Sequence, residues 1–206
     1  MLLAIDTSAG SSVAVVDYDR GVLAEASVAD TRRHAELVGP LIAEVLAASG
    51  VAVAELSAVA AGMGPGPFTG LRVGIAAARA FAIGASRPVV SLVSHDAIAY
   101  DAYRTGRTGP VLVVTDARRR ELYWSYYTGA DELGLPIRGD GPGLAKPAEL
   151  PHAAAERLDA PTVSAGALGL LAEHFWKNRR PFADDEALYL RSPDVTPSAG
   201  PKRVTG

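Results

Sequence analysis

The chain has no cysteine, and that absence removes disulfides, thiolate zinc sites and a cysteine nucleophile from consideration. It fits a reducing compartment. The four histidines, His34, His95, His152 and His174, stand far apart with no H-x-x-x-H or H-E-x-x-H pair, so a zinc protease has no ligands to use. No G-x-S-x-G elbow is present for a serine hydrolase. Long hydrophobic runs are also missing at the start: Asp6 interrupts the opening apolar stretch after five residues, too early for a secretory or spanning segment. A net charge of −3 gives the surface as a whole no affinity for nucleic acid, which leaves only local basic clusters. The expected location is cytoplasmic, with no membrane contact.

At 206 residues the chain is long enough for one medium domain or two small lobes with a real core. Leu2-Leu-Ala-Ile5 and Val13-Ala-Val-Val16 flank a turn-rich spacer and predict an antiparallel hairpin, with a third strand over Val22 to Val28. Thr31 is placed to cap a following helix whose apolar face carries Leu37, Leu41 and Val45, with Pro40 near its start or at a kink. Leu56 to Ala61 reads as a buried strand, and Pro88 to Leu92 as its parallel neighbour across a helix. Ser94 is placed to cap a short helix running to about Tyr103. Arg104 to Pro110 is polar and glycine-rich, the expected linker.

Beyond it, residues 111 to 127 repeat the plan of residues 2 to 18: apolar strand, polar turn with an aspartate, second strand. An internal duplication is therefore expected. The stretch Asp131 to Pro151 is rich in glycine and proline and carries little periodicity, and one helix is expected from Ala167 to Asn178. The expected division is a first lobe over 1–104, a smaller second lobe over 111–191 and a disordered tail over 192–206.

Between the first-lobe strand and helix lies Gly62-Met-Gly-Pro-Gly-Pro-Phe-Thr-Gly-Leu-Arg-Val-Gly74, leading into the alanine-rich stretch Ile75 to Ala85. Glycine and proline in this density encode one shaped loop rather than a linker. Free N–H groups at a helix start favour an anion. Against that, the loop lacks the Gly-Lys-Ser/Thr ending of a P-loop and the spacing of a dinucleotide site, and Pro65 and Pro67 remove two donors. A rigid lead-in to a tightly packed helix explains the same residues. On that helix Gly70, Gly74 and Ala78 recur every four residues, a small-residue stripe for close helix packing, either inside the molecule or at a subunit boundary.

Two turns carry candidate chemistry. Asp6, Thr7 and Ser8 offer a carboxylate and two hydroxyls for a nucleotide or a phosphate-bound metal, or else close a hydrogen-bonded turn. Asp116 with Arg118, Arg119, Arg120 and Glu121 forms a charged turn whose default reading is a solvated one. His34, beside Arg32 and Arg33, reads as a cap or surface residue.

Leu3-Ala-Ile-Asp-Thr-Ser8, Arg33-His34, Gly64-Pro-Gly-Pro-Phe-Thr-Gly-Leu-Arg-Val-Gly74, Asp116-Ala-Arg-Arg, Glu121-Leu-Tyr-Trp124 and Leu188-Tyr-Leu-Arg191 together resemble the bacterial TsaB (YeaZ) family. The resemblance runs from residue 2 to about residue 203. It implies an α/β, actin-like ATPase (ribonuclease H-like) fold: two related lobes, mixed sheets with flanking helices, the second lobe curtailed. It also implies a non-catalytic scaffold in the threonylcarbamoyladenosine modification of tRNA, binding the transferase TsaD with the ATPase TsaE, forming a homodimer in isolation and reaching tRNA through the complex.

On that resemblance the partner surface lies on the first-lobe helices. His34, Leu37 and Leu41 come from one helix; Thr69, Gly70, Arg72, Val73, Gly74, Ala77 and Ala78 come from the other. The family's loop commonly has serine where Pro67 stands, which costs a hydroxyl and a backbone donor. The alternative is an ATP-dependent small-molecule kinase of the same fold, which would need ATP or ADP with Mg at Asp6, Thr7 and Ser8. No catalytic residue or resident metal is assigned.

Overall fold

A computed structural model describes residues 1–30 and 33–191. Its first sheet contains β1 (Leu2–Asp6), β2 (Ser11–Asp17), β3 (Gly21–Val28), β4 (Ala58–Gly62) and β5 (Val89–Leu92), in the order β3-β2-β1-β4-β5. β1 pairs antiparallel with β2, from Leu2 opposite Val16 to Asp6 opposite Ser12, and parallel with β4. Both faces of β1, β2 and β4 are buried, which is why they read as continuous apolar runs rather than alternating ones.

Successive side chains on these strands enter different cores. Leu3, Ile5, Val13, Val15 and Val59 meet α1 (His34–Ser49) and α2 (Phe68–Ala85) through Val38, Leu41, Val45, Leu71 and Ile75. Leu2, Ala4, Ala14, Val16 and Ala60 meet α3 (Ser94–Arg104) and α4 (Ala165–Lys177) through Ala97, Tyr100, Leu168 and Leu171. α2 is long and apolar enough to cross a membrane by length and composition, but Leu71, Ile75, Ala78 and Ala82 seat it in the core shared with Leu3, Ile5 and α1.

The second sheet holds β6 (Val111–Asp116), β7 (Leu122–Ala130), β8 (Pro136–Ala145) and β9 (Glu156–Asp159), ordered β8-β7-β6-β9. Its β6 repeats β1: antiparallel to the next strand and parallel to a later one, here β9. A counterpart of β5 is missing among the described residues. α3 covers one face through Ala99 and Tyr103, which meet Val111, Val113 and Tyr127.

Several expectations shift. Thr31 and the tail 192–206 lie outside the described residues. Pro40 sits within α1, where it removes one bond to the preceding turn. Ser94 does not cap α3; its hydroxyl is drawn into the first lobe instead. The helix expected from Ala167 spans Ala165–Lys177, capped by Ser164 Oγ accepting from Ala167 N–H at 3.0 Å, and it packs on the first sheet although the sequence groups it with the second lobe. β8 falls where glycine and proline suggested little structure. Its glycines make room for its neighbour: a Cβ on Gly143 would lie 2.4 Å from the Trp124 ring.

Candidate functional site

The β1–β2 turn carries Asp6, Thr7 and Ser8, all buried. Asp6 Oδ1 accepts from Ser8 N–H at 2.8 Å and from Ser8 Oγ–H at 2.6 Å, while Oδ2 accepts from Ser94 Oγ–H at 2.5 Å. Burial raises the Asp6 pKa from its ordinary value against the opposing pull of these bonds. Thr7 Oγ1 donates to the Gly70 carbonyl at 2.7 Å. The hydroxyls and the carboxylate that could meet a phosphate or a metal are thus engaged inside the protein.

The glycine loop explains how they come to be sealed. Residues 61–66 are buried, and the loop is bonded on three sides. Met63 N–H donates to the Leu92 carbonyl at 2.8 Å, Ser94 N–H to the Gly64 carbonyl at 2.7 Å, and Leu188 N–H to the Met63 carbonyl at 2.8 Å. Gly64 N–H donates to Ser94 Oγ at 3.0 Å. A Cβ on Gly62 would stand 1.9 Å from Asp6 Oδ2, and one on Gly66 2.9 Å from Ser8. The loop lies directly on the Asp6 turn, and nothing larger than hydrogen fits between them.

The small-residue stripe on α2 has the same cause. A Cβ on Gly74 would lie 2.1 Å from Thr7 Oγ1, and one on Gly70 2.6 Å from the Thr7 carbonyl and 3.1 Å from His34 Nε2. The stripe faces inward and brings α2 onto the turn, so it does not form a subunit boundary. His34 is also buried, its Nδ1 2.8 Å from Ser11 Oγ, and is neither a cap nor a surface residue.

The ten residues expected at a partner surface therefore divide. His34, Leu41, Gly70, Gly74 and Ala78 are buried; Leu37, Val73 and Ala77 are half-buried; Thr69 and Arg72 are exposed. Outward, α1 presents Glu36 and Glu44 among the small residues Ala35, Gly39, Pro40, Ala43, Ala47 and Ala48, and α2 presents Thr69, Arg72 and Arg79 with Ala76, Ala80, Ile83 and Gly84. Ile83 is 79% exposed, whereas Leu71 and Ile75 of the same helix are buried. Arg72 lies over the Phe68 ring at 3.8 Å and borders a groove of about 560 Å³ shared with Ile75, Ala76, Ala187 and Tyr189. Spacing of apolar residues could not reveal this face, because alanine and glycine satisfy either side of a helix.

Leu188-Tyr-Leu-Arg191 proves to be a strap. After Leu188 binds the glycine loop, Tyr189 packs on Phe68 with ring centres 4.8 Å apart, and Arg191 donates to the Ala117 carbonyl at 3.1 Å and pairs with Glu121. It joins the loop of the first lobe to the β6–β7 turn of the second. A cleft of about 590 Å³ lies along this strap, lined by Met63, Val93, Arg138, Asp140, Asp184 and Glu186 among others, and not by the Asp6 turn.

The seam between the lobes is built from three consecutive residues that sequence reading did not single out for this. Ser94 serves the Asp6 turn. His95 is fully buried between Ser125 Oγ at 2.8 Å and Thr115 Oγ1 at 2.9 Å, and burial, aided by the nearby Arg138 charge, lowers its pKa to about 3. Asp96 accepts from Tyr127 O–H at 2.7 Å and faces Arg138 at 3.7 Å; burial raises its pKa while the Arg138 charge and the tyrosine bond oppose that rise. The remaining histidines pack on rings, His152 on Tyr126 and His174 near Tyr18 and Tyr100. Among the described residues no group of three or more His, Asp or Glu side chains is placed to hold a metal.

The family model for TsaD, tRNA N6-adenosine threonylcarbamoyltransferase, matches residues 17–146. An uncharacterized protein of Mycobacterium tuberculosis is 40% identical over 208 residues, covering 96% of this chain and 95% of its own length. The tRNA threonylcarbamoyladenosine biosynthesis protein TsaB of Escherichia coli is 32% identical over 165 residues, covering 80% of this chain and 70% of its own. The crystal structure of YeaZ from Pseudomonas aeruginosa superimposes with a TM-score of 0.77 at 27% identity, covering 92% of this chain and 99% of that one. On the strength of these relatives the chain belongs to the TsaB (YeaZ) family of tRNA threonylcarbamoyladenosine biosynthesis proteins.

Proposed function

We propose that this chain is a non-catalytic subunit of the tRNA threonylcarbamoyladenosine modification machinery, working in the cytoplasm, which docks a TsaD-type transferase on the outer face of α1 and α2 and with it recruits the ATPase TsaE. The observation that carries this reading is the composition of that face. Between the exposed charges Glu36, Glu44, Arg72 and Arg79, the small residues Gly39, Ala43, Ala47, Ala76 and Ala80 leave two backbones open to close approach by other helices, with Ile83 exposed beside them. The same face suits a second copy when the transferase is absent. α1 points Glu36 and Glu44 outward and α2 points Arg72, so a two-fold pairing of α1 against α2 sets acid opposite base.

The test is co-purification of the full chain with the TsaD-type protein of the same cell, with sedimentation of the chain alone. Ile83→Glu and Ala80→Glu are expected to abolish both associations while leaving the melting temperature unchanged. Wild-type protein that binds neither the transferase nor itself would sink the reading. The kinase alternative is disfavoured by Asp6, whose two oxygens are taken up by Ser8 and Ser94 beneath the glycine loop. ATP turnover by the isolated chain that disappears in Asp6→Ala would reverse that judgement.

A further inference from the structure

Each lobe has a strand at the margin of its sheet that faces the other lobe's chain: β5 ends the strand order of the first sheet and β8 that of the second. The β5 margin is met by the segment leading into the strap. Ala183 N–H donates to the Ser91 carbonyl at 2.9 Å, and Ser91 Oγ–H to Asp185 Oδ1 at 3.2 Å. β8 has β7 on one side and, among the described residues, no strand on the other. That open side borders the cleft of about 590 Å³, whose facing wall is the same Ala183–Leu188 segment. A strand edge left in this state carries unpaired N–H and C=O groups and accepts an added strand. Three β8 residues, Gly139, Gly141 and Pro142, have no partner in the register with β7, and all three line the cleft. Such bulges re-aim the backbone of an edge strand. The two glycines put no side chain in the way of an approaching chain, and Pro142, with no N–H, ends the stretch available for pairing.

The cleft also has a sign. Arg138, the one cationic group among its described lining residues, faces Asp96 at 3.7 Å, and Asp140 is held by His152 Nε2 at 2.8 Å. On the opposite wall Asp184 and Glu186 are exposed and have no hydrogen-bond or ion-pair partner among the described residues. Asp185 between them turns away to Arg79 at 3.0 Å. Two uncompensated carboxylates thus stand across from an open strand edge, with Met63, Val93 and Leu188 supplying apolar lining between.

We propose that the cleft between β8 and Ala183–Leu188 binds an extended basic segment of a partner protein, which adds to the open edge of β8 as a further strand. In this mode main-chain hydrogen bonds supply affinity and alternate side chains supply specificity. Successive side chains of an added strand point to opposite sides. A segment alternating basic and apolar residues therefore offers lysine or arginine to Asp184 and Glu186 and apolar groups to the Met63 and Val93 lining. No residue of α1 or α2 lines this cleft, so the site is separate from the face on which the transferase is proposed to dock.

The test is titration of the full chain into a fluorescent peptide of alternating lysine and valine, followed by anisotropy. Two further peptides are run beside it: one with glutamate in place of lysine, and the lysine peptide with alternate backbone nitrogens methylated. Saturable binding of the unmethylated lysine peptide alone is expected, with the amide signals of Gly139 and Gly141 shifting in NMR spectra. The double substitution Asp184→Asn with Glu186→Gln removes two exposed charge pairs and should weaken binding roughly fivefold. Both side chains are exposed, so its melting temperature should match that of the wild type. Equal binding of the methylated peptide would mean attraction of charge without a strand, and equal binding of the glutamate peptide would mean apolar adsorption. Either result overturns the proposal, as does a lysine peptide that fails to bind or a double variant of unchanged affinity. Ile83→Glu on the outer face of α2 should leave peptide binding intact, so this inference and docking on α1 and α2 fail separately.

Discussion

Residues 2–17 and 111–130 follow one plan, an antiparallel hairpin whose first strand also pairs in parallel with a later one, and their turns begin with an aspartate in the same position. Their fates are opposite. The Asp6 turn lies under the glycine loop and α2 with its polar groups bonded inward, whereas the Asp116 turn stands in solvent with three arginines outward. The difference comes from the chain that closes over each hairpin. In the first lobe, Gly62, Gly66, Gly70 and Gly74 let the loop and α2 descend onto the turn. In the second, Arg191 of the strap reaches the turn and donates to the Ala117 carbonyl. A turn inherited with the fold becomes core or surface according to the segment laid over it.

Filling the space above the buried turn should have the largest effect. Gly74→Leu places atoms where Thr7 Oγ1 stands, and is expected to cost about 3 kcal/mol or more in urea unfolding, with loss of soluble protein at 37 °C. The corresponding insult in the other turn, Arg119→Ala, should stay within about 0.5 kcal/mol. Similar losses at both sites would erase the contrast. Next comes the aspartate pair: Asp6→Ala strands Ser8 N–H and two hydroxyls in a buried site, a loss of about 2–3 kcal/mol, against about 1 kcal/mol or less for Asp116→Ala.

The seam between the lobes offers a pH readout. His95 is held neutral in the native protein with its pKa near 3, below the usual 6.5, so only the unfolded chain takes up a proton in between. The stability it supplies is complete above pH 6.5 and is lost as pH falls toward 3, about 1.4 kcal/mol being gone near pH 5.5. Asp96 works with the opposite sign: its raised pKa contributes at low pH and is lost as pH rises through the folded value. Thermal melts of wild type and His95→Gln from pH 7 to 4.5 should converge toward acid, and parallel curves would mean His95 does not govern that limb. One expected effect is a gain: Arg120→Gly should stabilise the fold by about 1 kcal/mol by removing left-handed strain.

Much of this architecture was legible along the chain. Strands β1, β2, β4 and β6 announce themselves as apolar runs because burial on one or both faces excludes polar residues there, and the repeat of the hairpin plan pointed to two related lobes. β8 escaped notice because its glycines, read locally as loop signals, answer to Trp124 and Tyr126 on the adjacent strand. Ser94 looked like a helix cap for a similar reason: its actual partners, Asp6 and Gly64, are distant in sequence. The Asp6 turn and the two first-lobe helices could be marked as candidates from sequence, but which of their side chains face outward could not.

The amino-acid sequence alone determined the family, the alternation of strands and helices and the presence of a shaped loop at Gly62–Gly74, because these depend on local backbone preference and hydrophobic period. Only the tertiary structure decided what the loop is for. A glycine is silent about its neighbour: the same Gly70, Gly74 and Ala78 stripe permits a partner helix or the protein's own turn. Here Thr7 Oγ1, bonded to the Gly70 carbonyl at 2.7 Å, already fills the space, so the side of the helix left open is the opposite one, at Ala76, Ala80 and Ile83.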